Sequence, residues 1–108
     1  MAMTPAQFNV YIDGLEKATK AQVQQAVNEA AATCDAEAKR VCPVDTGNLR
    51  SSIHIETGEG EATVGTNVEY GVYVEFGTYK MKAQPFMQPG AVAAEQALPR
   101  ILKSLKIV

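Results

Sequence analysis

The chain has 108 residues, 46% hydrophobic and 20% charged, with no Trp and a formal net charge of −2. That length sets a single domain, residues 1–108, with a modest aliphatic core, and the charge lacks the basic excess that nucleic-acid binding needs. No apolar run approaches the roughly 18 residues of a membrane span, the start lacks a basic region with an apolar run, and one histidine, His54, with two cysteines makes no zinc set.

Phe8, Val10 and Ile12 alternate with polar or amphipathic neighbours, which predicts a short half-buried strand closed by Gly14. From Leu15 to Val41 the period becomes helical. Val23, Val27, Ala30, Cys34, Ala38 and Val41 recur at steps of three and four, in a run rich in good helix formers and free of Gly and Pro. Lys39 and Arg40 suit the negative end of the helix dipole, and Pro43 stops the helix. The stripe is narrow and made of small residues, so another element must pack closely on it. Cys34 and Cys42 on one helix stand about 12 Å apart in rise, beyond the roughly 7 Å a disulfide tolerates. Two unpaired thiols fit a reducing compartment, hence folding in a cytoplasm.

Beyond Pro43, the segment Leu49 to Thr57 reads as a strand, Gly58-Glu59-Gly60 as a tight turn and Glu61 to Val68 as the returning strand. His54 on this hairpin reads as an exposed strand residue, since neither a nucleophile nor a second ligand lies near it in sequence. Tyr70, Tyr73, Val74 and Phe76 are spaced for a short helix ended by Gly77. Thr78 to Gln84 is a polar loop that is either mobile or ordered on assembly. Pro85 and Pro89 bracket Phe86 and Met87, which should enter the core. Gly90 to Leu105 predicts a last helix that Pro99 should kink or end. The fold class is therefore α+β. A small antiparallel sheet, the hairpin plus the N-terminal strand, packs on one long helix, with a short helix and a C-terminal helix.

Charge is divided along the chain. Residues 56–78 hold Glu56, Glu59, Glu61, Glu69 and Glu75 with no base, a balance of −5. Residues 79–108 hold Lys80, Lys82, Arg100, Lys103 and Lys106 against Glu95 alone, a balance of +4. Such a division serves either as two solvated faces or as a self-complementary pair across copies.

Asp45-Thr46-Gly47 is the tripeptide of aspartic proteases, in which one Asp from each of two copies shares a proton. In that chemistry it follows an apolar strand in an all-β chain. Here it follows an Ala-rich helix and Pro43, and the Gly-Arg that should come later is missing. The same residues make a structural turn: Pro43 ends the helix, Asp45 and Thr46 accept from nearby backbone N–H groups, Gly47 supplies backbone freedom, and Arg50 can pair with Asp45.

Three blocks occur in order. They are Pro43-Val44-Asp45-Thr46-Gly47-Asn48-Leu49-Arg50-Ser51-Ser52-Ile53, Tyr70-Gly71-Val72-Tyr73-Val74-Glu75-Phe76-Gly77-Thr78 and Ala83-Gln84-Pro85-Phe86-Met87-Gln88-Pro89-Gly90-Ala91. Together they resemble the phage tail-component family, the small head–tail joining proteins of long-tailed phages. The chain departs from that pattern at Gly90, where Ala commonly follows the proline. The resemblance implies a structural virion protein with no catalytic residues and no cofactor. It would form a ring, a hexamer by analogy with tail terminators, in the neck between the head connector and the tail tube. Its partners would be copies of itself and the neighbouring connector, tail-tube or tail-terminator proteins, without membrane or specific nucleic-acid binding. The motif and core positions it marks are Leu49, Tyr70, Tyr73, Glu75, Phe76, Gly77, Thr78, Pro85, Phe86 and Pro89. The charge division adds candidate ring contacts at Glu56, Glu59, Glu61, Tyr79, Lys80, Lys82, Arg100, Lys103 and Lys106. A tail-terminator ring, or a homodimeric aspartic protease using Asp45, are the alternatives.

Overall fold

A computed structural model describes residues 6–11, 18–43 and 47–106. Seven elements follow one another: β1 (Gln7–Tyr11), α1 (Lys20–Val41), α2 (Gly47–Ser52), β2 (His54–Gly58), β3 (Glu61–Gly65), α3 (Gly71–Phe76) and α4 (Met87–Ser104). The architecture is α+β, as the periodicities predict.

The three strands form an antiparallel sheet in the order β1-β3-β2. Phe8, Val64 and Ile55 stand in one cross-strand row, and Val10, Ala62 and Thr57 in the next. Opposed residues share a face of the pleat, so both rows meet α1, and Val10, Ala62 and Val64 are buried there. The turn between β2 and β3 is Glu59-Gly60, with Gly60 at φ 72°, a backbone state open to glycine at little cost.

Helix α1 begins at Lys20 rather than at Leu15, and residues 12–17 lie outside the described residues. Its start is fixed by a capping box. Thr19 Oγ1 accepts from Gln22 N at 3.1 Å, and Gln22 Oε1 accepts from Thr19 N at 3.0 Å. The two bonds satisfy donors that a helix start otherwise leaves open. The stop is as predicted: Cys42 takes the extended conformation, ψ 135°, that a following proline requires.

The predicted stripe of small residues is the seat of α4. Of its small residues Ala30, Cys34 and Ala38 are buried, joined by Ala26 and Ala31, which the stripe did not include, and α4 answers with Gly90, Ala94 and Ala97. The helices run antiparallel, since Gly90 at the start of α4 meets Cys34 and Ala38, while Leu105 just past its end meets Gln22. At Gly90 a Cβ would stand 2.7 Å from the Cys34 carbonyl oxygen, so the departure from Ala at this position is what allows the backbones to touch. Both cysteines carry buried thiols that are not bridged. Burial and the adjacent Asp35 carboxylate push the Cys34 thiol up to about 12, so it packs as an apolar group against Met87.

Further boundaries differ from expectation, and β3 ends at Gly65 rather than at Val68. Gly47–Ser52 forms a helix, and the strand starts only at His54. Leu49 and Ile53, four residues apart, are both buried, so the helical spacing of these two anchors overrides the alternation read over Leu49 to Thr57. Helix α4 starts at Met87, three residues earlier than predicted, because Pro89 falls in its first turn, where a missing N–H costs nothing. It also runs through Pro99 to Ser104. There Ala94, Ala97 and Ile101 pack inward while Pro99 faces solvent, and that burial outweighs the backbone hydrogen bond lost at the proline.

Candidate assembly surface

Helix α3 is only six residues long, and Val74 and Glu75 are its inward residues. Glu75 is 5% exposed, a buried carboxylate in an apolar run. Its Oε1 accepts from Phe86 N at 3.0 Å and Met87 N at 2.8 Å, and its Oε2 accepts from Gln88 N at 3.1 Å. Those N–H groups open α4, where the helix dipole is positive. One side chain thereby satisfies three backbone donors, and they compensate its desolvation. Phe86, fully buried, and Met87 are locked beside it.

This clamp spans the segment between α3 and α4 and fixes its path. Gln84 N donates to Val74 O at 2.8 Å. Thr78 and Met81 exchange backbone hydrogen bonds at 2.8 and 3.2 Å, and Thr78 Oγ1 accepts from Lys80 N and Met81 N. Gly77 holds φ 78°, and a Cβ there would stand 2.8 Å from Ala83 N and 2.9 Å from Met81 O. The 78–84 loop is thus tied at both ends and across its middle.

What the clamp presents outward is aromatic and basic. Tyr73 is 55% exposed, Phe76 67% and Tyr79 94%. Tyr79 lies under the Lys80 ammonium, 5.4 Å from the ring centroid. Neither Lys80 nor Lys82 has an ion-pair partner among the described residues. Beside Phe76 a groove of about 250 Å³ runs between β1, α3 and α4, lined by Phe8, Phe76, Met87 and Ala91. Large exposed aromatics gathered on one short segment are a feature of protein–protein contacts.

The marked residues divide in two. Leu49, Glu75 and Phe86 are core, whereas Tyr70, Tyr73 and Phe76 face solvent and Thr78 and Pro85 lie on the surface. Tyr70 meets Asn48 through its hydroxyl, at 3.4 Å. Pro89 is half-buried, and Gly77 ends α3 as predicted. Asp45 and Thr46 lie outside the described residues, so their part in the turn and a pair with Arg50 do too. Arg50 Nη2 donates to Cys42 O at 2.8 Å and ties α2 to the end of α1.

Several charged candidates gather at the start of α1. Gln24 Oε1 accepts from Gly60 N at 2.8 Å, which seats the Glu59 turn on the first turns of α1. Gln22 Nε2 donates to Leu105 O at 3.4 Å, which brings Lys103 and Lys106 to the same end. Two residues on a helix point about 200° apart, so the acidic turn and the basic helix end flank α1 from opposite sides. Arg100 lies one turn back along α4.

His54 is half-buried rather than exposed. Its Nδ1 faces Ser52 O at 2.8 Å and its Nε2 faces Glu56 Oε2 at 2.9 Å. Two acceptors suit the protonated ring. The Ser52 carbonyl, then the Glu56 carboxylate, hold its pKa above the ordinary histidine value, with a smaller pull from Asp35. Glu56 is therefore engaged within the chain.

Among the described residues no group of His, Cys, Asp and Glu could hold a metal ion, and no helix is long and apolar enough to cross a membrane. Sequence reasoning marked Glu75 without its role. Its partners stand 11 to 13 residues away, and the only local signal is a carboxylate inside an apolar run. Residues 6–77 match the model of the family described as "Bacteriophage HK97-gp10, putative tail-component". No curated protein and no solved structure matches the chain.

Proposed function

The chain belongs to the HK97-gp10-like family of phage tail components, and from this premise we propose that it is a neck protein that closes into a ring and joins the head connector to the tail tube. The family places it among structural virion proteins of the tail. The observation that carries the finer reading is the clamped loop. Glu75 spends a buried charge on fixing a segment whose outward residues are Tyr73, Phe76, Tyr79, Lys80 and Lys82. A protein with no use for that surface gains nothing from holding such aromatics in water. In the proposed ring the loop faces the next ring of the neck, and the charged flanks of α1 face neighbouring copies.

The experiment is to remove the protein from the phage and image the particles. The joining role predicts filled heads without tails beside free tails of normal length. Tails of uncontrolled length would assign the protein to tail termination instead. Normal, infectious virions would refute both.

A further inference from the structure

The two flanks of α1 carry opposite charge, and among the described residues only Lys20 pairs with any of it. On one flank stands the β2–β3 turn with Glu59 and Glu61. Glu59 has only Lys20, at 3.7 Å, with both side chains about nine-tenths exposed, a contact of little worth. Glu61 has no ion-pair partner among the described residues, and neither do Lys103 and Lys106 on the other flank. Lys106 also holds φ 60°, the left-handed state that glycine fills cheaply just past a helix.

Beside the acidic turn lies a groove of about 420 Å³, walled by Ala18, Ala21 and Val23 and rimmed by Glu59 and by Lys20, whose exposed ammonium an incoming lysine must displace from Glu59. We infer that this groove receives the basic end of α4 from a second copy of the chain, Lys103 and Lys106 of one copy meeting Glu59 and Glu61 of the next. The occupant is set by charge complementarity and by position. Donor and acceptor surfaces lie at the same end of α1 but on opposite flanks, so copies meet side by side with their long helices alongside one another. Such a contact uses different patches on the two partners, and each copy keeps one of each unused. It therefore repeats until the rotation closes a ring. The inference rests on the ring reading only for that closure.

The test is self-association of the full chain by sedimentation equilibrium, from about 50 to 500 mM salt, with protein up to about 1 mM. The wild type should associate, and less so as salt screens the pairs. K103E/K106E makes both flanks acidic, and E59K/E61K makes both basic. Each alone should dissociate at least about tenfold more readily, and an equimolar mixture should associate again by alternating the two. All four positions are exposed. Circular dichroism checks the fold of each variant, and the milder pair K106Q and E61Q gives the same sign should a reversal misfold. A monomeric wild type, a reversal that associates like wild type, or a mixture that stays apart each overturns the contact. Imaging of virions reports on location independently. Association by a protein absent from the neck refutes the neck reading and keeps the contact, and a monomer found at the neck does the opposite.

Discussion

Glu75 and Met87 meet across a helix end. A carboxylate oxygen on α3 lies 2.8 Å from the first backbone N–H of α4, and the same carboxylate holds the N–H groups on either side. No side chain of Phe86, the residue at the cap position, performs this task. The cap of α4 therefore comes from another element.

Replacing Glu75 should act on stability and on the loop together. Glu75→Ala leaves three buried or half-buried donors open and should cost about 2–4 kcal/mol. Glu75→Gln keeps the shape but not the charge and should cost about 1–2 kcal/mol. Urea denaturation measures both. Amide hydrogen exchange should show protection lost at Phe86, Met87 and Gln88 before the rest of α4. Equal stability of Glu75→Gln and wild type would show that charge adds nothing to the cap.

Gly90→Ala should destabilise, against the usual trend. An exposed helical Gly→Ala change stabilises by up to about 1 kcal/mol. Here the new Cβ would stand 2.7 Å from Cys34 O and 3.3 Å from Ala38 Cβ, so the helices must part. A loss of about 1–3 kcal/mol is expected. A gain in the midpoint of chemical denaturation would show that α1 and α4 shift apart freely.

His54 should make the fold slightly more stable at mildly acidic pH. Its folded pKa lies above the ordinary 6.5, so protonation favours the folded state. That contribution is fully present below pH 6.5 and is lost as pH rises through the folded value. The side chains of His54 and Glu56 are about one-third exposed, at 34% and 36%, which limits the effect to below about 1 kcal/mol. The melting-temperature difference between wild type and His54→Gln should be largest near pH 5.5 and shrink by pH 8. A difference independent of pH would assign His54 a packing role only.

Much of this was legible because the signals are local. The alternation of Phe8 and Val10, the three-and-four spacing from Val23 to Val41 and the Gly-flanked hairpin turn each name their element. Helix α2 was hidden because six residues hold too little periodicity, and the Leu49–Ile53 spacing shows its meaning only once both side chains are seen buried. The continuation through Pro99 was hidden for another reason. Propensity weighs a residue alone, while the buried Ala94, Ala97 and Ile101 act through α1. The family resemblance marks Tyr73 and Phe76 among the motif and core positions, but on so short a helix Val74 and Glu75 take the inward positions. Which charges flank α1 depends on the hairpin and α4 returning to its first turns, and no window of sequence contains that.

The strand order β1-β3-β2 also has a consequence in time. Strands β2 and β3 are joined by two residues, and such hairpins close in about 1–10 μs. Strand β1 pairs instead with β3, Gln7 opposite Gly65, 58 residues further along the chain. At a synthesis rate of about 5–20 residues per second, β1 waits at least about 3–12 seconds for its partner to be made. The first strand to leave the ribosome is thus the last to be joined to the sheet. Through that interval β1 itself, with no strand yet beside it, stands open to any extended chain nearby.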